Sequence, residues 1–315
     1  MTAELPAARP GLARWVVYQR ERFPVVAHGA LILAFSSGAV CYSATLRAQG
    51  APPTVAPASL AVAFASCFLF FFQLRVSDEL KDFRDDARHR PYRPVPRRLV
   101  SLRELRALGL AAMIVQLALA LWLSPRLVAP LALVWLFIGL MTKEFWLRAW
   151  LAERPVTVLW SHMLVLPLID LYATSCDWLA VGAVRAVGPG LAWFLAASFC
   201  NGMVVEIGRK IRAPQDEERG VRTYSALWGA PRAVAAWLGV MIVTALCATA
   251  AAAHVGAARF VAAILGALAV GAVALGTRLV RAPDAGAGRR LETLAGVWTI
   301  ALYLGVGVLP FVARR

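Results

Sequence analysis

Residues 66–98 read SCFLFFFQLRVSDELKDFRDDARHRPYRPVPRR, an intensely apolar run that passes without a break into a charged one. The apolar part, taken with the residues before it from about 56, reaches the roughly 20 residues that an α-helix needs to cross about 30 Å of hydrocarbon. Beyond Arg75, Asp78, Asp82 and Asp86 follow at intervals of four. A helix that continues past the membrane boundary therefore carries all three carboxylates on one face, where like charges repel. Mg²⁺ relieves such repulsion, because it takes oxygen ligands and commonly combines one or two carboxylates with phosphate oxygens. Arg88, Arg90, Arg93, Arg97 and Arg98 come next, among Pro91, Pro94 and Pro96. Proline ends the helix and fixes a turning loop, so these guanidinium groups are placed to fold back over metal-bound phosphates. The competing reading is a solvated loop whose acids pair with Lys81, Arg84 and Arg88. Glu79 and Asp85, on neighbouring faces, are expected in supporting positions.

The same apolar character recurs along the chain. Of 315 residues 60% are hydrophobic and 16% charged, with a mean hydropathy of +0.66, too few charges to cover a water-soluble surface. Nine spans are expected, at 25–46, 56–74, 107–124, 127–142, 155–174, 187–206, 233–253, 260–277 and 293–312, with Pro24, Pro125, Pro155 and Pro189 at or near their ends. The fold class is all-α: a polytopic membrane bundle of about nine helices around a central cavity that opens near the cytoplasmic face. Residues 1–315 read as a single domain. The first 24 residues lack a cleavable signal-peptide pattern, so the first span is expected to direct insertion. Five scattered cysteines indicate neither a zinc site nor a disulfide framework.

The charges fix an orientation. Of 33 Lys and Arg, 27 fall in the N-terminus and the gaps after spans two, four, six and eight, and 6 on the other side. That asymmetry puts the N-terminus and those gaps in the cytoplasm. It also accounts for the formal net charge of +15, which leaves no reason to invoke nucleic acid. It asks for no carboxylates, yet ten of the 18 acids lie in or beside the gaps after spans two and six. The second of these reads FCNGMVVEIGRKIRAPQDEERGVRTYSALWG from Phe199. Glu206 and Lys210 share a helix face, Arg209 sits beside them, and Asp216, Glu217 and Glu218 precede Gly220.

Together the two segments resemble the UbiA-type intramembrane prenyltransferase superfamily. Its first motif maps onto Asp78, Asp82 and Asp86, its RPxRP-type loop onto Arg90 to Pro96, and its second motif onto Glu206, Gly220 and Thr223. Two positions depart from the pattern: Lys210 stands where a second Asp is usual, and Arg98 where Gly is frequent. The resemblance implies Mg²⁺-dependent ionisation of an isoprenyl diphosphate and transfer of the prenyl group to a lipophilic acceptor, aromatic or lipid, in contact with membrane lipids. It implies catalytic roles for Asp78, Asp82, Asp86, Glu206 and Lys210, with Asp78, Asp82, Asp86 and Glu206 on the metal. Arg88, Arg90, Arg93, Asn201, Arg209, Asp216 and Glu217 are expected to bind substrate, with Arg209 and Lys210 supplying part of the charge of a second metal.

An apolar chamber would shield the allylic cation, with Phe68, Phe70, Phe71, Phe72, Trp160, Trp193 and Phe194 as lining candidates, each also readable as lipid-facing or packing surface. His162 and Asp170, ionisable groups within span five, are expected to face a cavity or partner, and Tyr42 and Tyr224 to act as interfacial anchors. Two other functions stay open: a membrane terpene cyclase of the same superfamily, and a divalent-cation transporter. Against the latter, the acids cluster at one face rather than at the midplane. The plasma membrane is the expected location.

Overall fold

The computed structural model describes residues 11–183 and 188–314; residues 1–10, Arg185 and Arg315, all used in the charge count above, lie outside that range. Among the described residues the chain is all-helical, and nine helices or helix pairs are long and apolar enough to span a membrane. A short helix, α1 (Ala13–Arg22), precedes them. The spans are α2 (Val25–Ala48), α3 (Pro57–His89), α4 (Leu102–Leu123), α5 (Val128–Thr142), the pair α7 (Pro155–Met163) and α8 (Val165–Trp178), and α9 (Gly188–Arg209). They continue with α11 (Ala230–Ala253), α12 (Ala258–Arg281) and α13 (Ala287–Tyr303), which a wider turn joins to α14 (Leu309–Ala313). Two one-turn helices, α6 (Arg148–Ala152) and α10 (Tyr224–Trp228), lie in the connections. The nine expected spans are all present, each with its apolar segment where the sequence places it.

Local chemistry explains the ends. Pro57, Pro125, Pro155 and Pro231 open helices or the turns leading into them, where the missing N–H has no partner to lose. Ser101 and Glu104 form a reciprocal capping box at the start of α4. Two spans are broken by proline from within. Pro167 cannot donate to Met163, and the helix divides there into α7 and α8; Pro310 follows a π-type turn over Leu304–Val308.

Apolar side chains such as Ile114, Trp122, Leu246 and Val270 stand on the outer surface, the face a lipid-embedded bundle turns outward. This is an integral membrane protein. The interior holds Trp237, Trp298, Tyr42, Tyr172 and Tyr303, all fully buried. The sequence reading of Tyr42 as an interfacial anchor is corrected here: its hydroxyl lies 2.9 Å from the carbonyls of both Gly190 and Ala251, tying α2 to α9 and α11. Tyr224 is likewise buried, against Trp228. Trp160 and Trp193 are exposed, whereas Phe70 and Phe194 belong to the packed core. An apolar groove of about 450 Å³ lies between α1, α3 and α4, lined by Leu12, Trp15, Phe23, Phe68, Phe72 and Leu108.

Candidate active site

The site is built at the C-terminal end of α3. With 33 residues at 1.5 Å each this helix is about 50 Å long, well beyond a 30 Å hydrocarbon layer, so its last turns stand clear and carry the acids. Asp78 lies between Arg75 at 3.4 Å and Lys81 at 3.6 Å. Asp86 is buried and accepts from Arg93 at 2.6 Å, with Arg90 at 3.6 Å. Asp82 differs from both, making no direct ion pair among the described residues; Lys81, Asp78, Asp86 and Glu144 are the charges around it.

The proline-rich loop folds back as its sequence requires. Arg90 reaches Glu218 at 3.3 Å, Tyr92 donates to the same carboxylate at 3.1 Å, and Arg97 bonds Glu21 at 2.8 Å. Arg98 has φ of 61°, the left-handed region that favours glycine, at the position where the resemblance leads one to expect Gly. Arg88 is exposed on the last turn of α3. Glu79 is buried and paired with Arg22 of α1 at 2.5 Å, and Asp85 stands exposed, 3.8 Å from Arg148.

The second segment meets the first. A Cβ on Gly220 would fall 2.2 Å from His89 Nδ1 at the end of α3, so a side chain there would have to displace the His89 ring, and the φ of +79° favours glycine in its own right. At the end of α9, Glu206 has Lys210 Nζ 2.7 Å from Oε1 and Arg209 on Oε2. Arg209 lies within electrostatic reach of Asp78, and Lys81 within reach of Glu206. The structure thus brings Asp78, Asp82, Asp86, Arg90, Arg93, Glu206, Arg209 and Lys210 to one end of the bundle.

Other expected residues have different surroundings. Glu217 accepts from Thr223 at 2.7 Å and Ser225 at 2.6 Å, and Thr223 caps α10. Asp216 accepts from the Gly286 N–H at 2.8 Å, fastening its loop to the start of α13. Asn201 is buried and accepts from Thr299 at 3.2 Å. Asp170 is completely buried and accepts from Tyr303 at 2.7 Å.

Glu144, which the sequence reading did not single out, joins the site from the turn between α5 and α6. Its carboxylate lies 3.6 Å from Lys81 Nζ and 3.3 Å from His162 Nε2. Burial alone would raise its pKa, but the neighbouring His162 ring and the charge of Lys81 outweigh burial and hold the carboxyl below its ordinary 4.5. The available signal was position: Lys143-Glu144 directly follows span four, on the side that carries the other acids.

With this geometry in view, the family model described as the UbiA prenyltransferase family matches residues 27–309. The chain belongs to the UbiA prenyltransferase family. Solved structures share its fold. A UbiA homologue from Aeropyrum pernix K1, in its apo form, aligns with a TM-score of 0.65 at 16% identity, over 89% of this chain and 96% of that one. Digeranylgeranylglyceryl phosphate synthase aligns with a TM-score of 0.56 at 13% identity, over 93% and 99%. A UbiA homologue from Archaeoglobus fulgidus bound to DMAPP and Mg²⁺ gives 0.53 and 12%, over 89% and 99%. No curated protein matches the sequence.

Proposed function

We propose that this UbiA family member is an intramembrane prenyltransferase that cleaves an isoprenyl diphosphate and transfers the prenyl group to a lipophilic acceptor. The observation that carries the reading is the meeting, at one end of an apolar bundle, of an acidic helix face with the guanidinium and ammonium groups of two loops. Such an end suits a ligand with a polyanionic head and a hydrocarbon tail. The Archaeoglobus fulgidus homologue, bound to DMAPP and Mg²⁺, supports that ligand class.

Among the described residues no three His, Cys, Asp or Glu side chains converge as a ready metal cage, so a site made of protein ligands alone is not supported. Two carboxylates fit: Asp82, free of any direct ion pair, and Asp78 one turn before it, crowded by like charge and oxygen-only in chemistry. These two would hold Mg²⁺, with phosphate oxygens and water completing its shell. Asp86 and Glu206 fit less well, since cations hold them at 2.6 Å and 2.7 Å, whereas Arg75 and Lys81 stand off the two oxygens of Asp78 at 3.4 Å and 3.6 Å. When bound, the ion neutralises charge on the leaving diphosphate.

The protein's own groups do the rest. Asp86 orients Arg90 and Arg93, and Glu206 orients Arg209 and Lys210, so that four cations are held in place for the diphosphate as negative charge develops on it. Arg88 adds positive potential at the rim. Asp216 and Glu217 position the second loop through Gly286, Thr223 and Ser225, and Asn201 steadies α9 against α13. As the allylic C–O bond breaks, diphosphate leaves into this cationic set and the prenyl carbon bonds to the acceptor nucleophile, which gives up its proton. The chain acts as one domain in the plasma membrane with the site facing the cytoplasm, an orientation that the distribution of Lys and Arg supports.

The test is incubation of the purified protein with isoprenyl diphosphates of increasing length, Mg²⁺ and a membrane lipid extract. Diphosphate release with a prenylated product by mass spectrometry is expected. No release at any chain length would overturn the proposal.

A further inference from the structure

Lys81 occupies a position that the chemistry of the site does not demand. Its ammonium lies 3.6 Å from Asp78 and 3.6 Å from Glu144, and its side chain is only 15% exposed. Asp82 and Glu206 are also within its electrostatic reach. Lys81 is thus shared between Asp78 and Glu144 and is the cation beside Asp82, whereas Asp78 has Arg75 on its other oxygen and Glu206 has Arg209 and Lys210 of its own.

Glu144 is held where it is by the backbone. Glu144, Phe145 and Trp146 all have left-handed φ, at 48°, 51° and 58°, a conformation that non-glycine residues adopt at a cost and that clusters at functional sites. The turn is fastened by Phe145, whose ring packs edge-on against Phe137 and His162, and by Arg148, which donates to the Lys81 carbonyl at 3.3 Å. His162 donates from Nδ1 to the Val158 carbonyl at 2.9 Å and turns Nε2 toward Glu144.

We propose that Lys81 is a resident counter-ion: it neutralises Asp78 and Asp82 in the metal-free protein and moves to Glu144 when a divalent cation arrives. The inference rests on the reading of Asp78 and Asp82 as the metal-holding pair. Asp78 and Glu144 already lie at the same 3.6 Å from the ammonium, so the exchange needs only side-chain rotation. Without Lys81 the stacked acids would destabilise α3 until metal bound. Without Glu144 the displaced ammonium would have no partner and would compete with the ion. Glu144 is therefore a positioning residue that acts through Lys81.

The test measures Mn²⁺ binding to the full chain in detergent by loss of the free-ion electron paramagnetic resonance signal, with Mn²⁺ alone and with added inorganic diphosphate. Lys81→Met should bind Mn²⁺ at least tenfold more tightly than the unaltered protein, and Lys81→Gln should do the same if the Met variant folds poorly. Glu144→Gln should weaken binding about threefold or more, and that loss should shrink when Lys81→Met is already present, as coupled residues require. Equal or weaker binding by both Lys81 variants would overturn the proposal while leaving the metal pair intact, provided Asp82→Asn abolishes binding. Equal loss from Glu144→Gln in both backgrounds would remove Glu144 from the exchange and overturn it as stated. If the unaltered protein binds no Mn²⁺ even with diphosphate, the reading of the acidic face falls and this inference falls with it.

Discussion

Lys210 Nζ lies 2.7 Å from Glu206 Oε1, one helical turn away, while Arg209 takes the other oxygen of the same buried carboxylate. A carboxylate saturated in this way has little capacity left for a metal. It serves instead to hold two cations at the end of α9.

Removing one of those cations should be read in substrate affinity. Lys210→Ala is expected to raise the apparent KM for the diphosphate substrate roughly tenfold or more, since a hydrogen bond to a charged group contributes about 1.5–3 kcal/mol. Steady-state kinetics at saturating Mg²⁺ checks this. An unchanged KM would take Lys210 out of diphosphate binding.

Glu206→Gln tests the same cluster from its centre. The variant leaves Arg209 and Lys210 without their shared anion, so both should lose their fixed positions and turnover should fall by at least tenfold with the fold retained. Circular dichroism and diphosphate release, measured on the same sample, separate the two effects.

Gly220→Ala places a methyl 2.2 Å from His89 Nδ1 in a backbone of φ +79°. The left-handed conformation alone costs about 1–2 kcal/mol for a residue with a side chain. The two loops should part, giving faster proteolysis between residues 210 and 223 and reduced activity. Cleavage at the original rate would show that the loops do not depend on this contact.

The Glu144 carboxyl lies below its ordinary 4.5, so its sign is that of a group which stabilises when ionised. That contribution is fully present above pH 4.5 and is lost as the pH falls through the folded value. The melting-temperature advantage of the unaltered protein over Glu144→Gln should therefore shrink as the pH falls below about 4.5. An advantage that grows below that pH would have the wrong sign.

The spans were legible because hydrophobicity over 20 residues is a strong, local signal. The interruptions at Pro167 and Pro310 were less so, since a proline inside an apolar run reads as tolerated until its lost hydrogen bond is located. Helix α1 escaped because ten residues with four charges lack a span's signature; its place is set by long-range pairs such as Arg22–Glu79 and Arg14–Glu104. The acids of the first motif stood out through their spacing. Glu144 did not, because a lone acid in a short turn carries no pattern and gains its meaning from Lys81 and His162, distant in sequence. Asp216 and Glu217 show the converse. In sequence they match any ligand-binding acids, and only the structure reveals bonds to Gly286, Thr223 and Ser225.

Asp82 carries the central claim, as the one acid of the first motif without a direct ion pair among the described residues. The decisive measurement is Mg²⁺-dependent diphosphate release by Asp82→Asn beside the unaltered protein, at matched folding and with the prenyl diphosphate that the unaltered protein turns over best. Loss of at least a hundredfold in release, with the melting temperature preserved, is the expected result. Release at the unaltered rate would contradict the assignment of the α3 acidic face as the seat of ionisation.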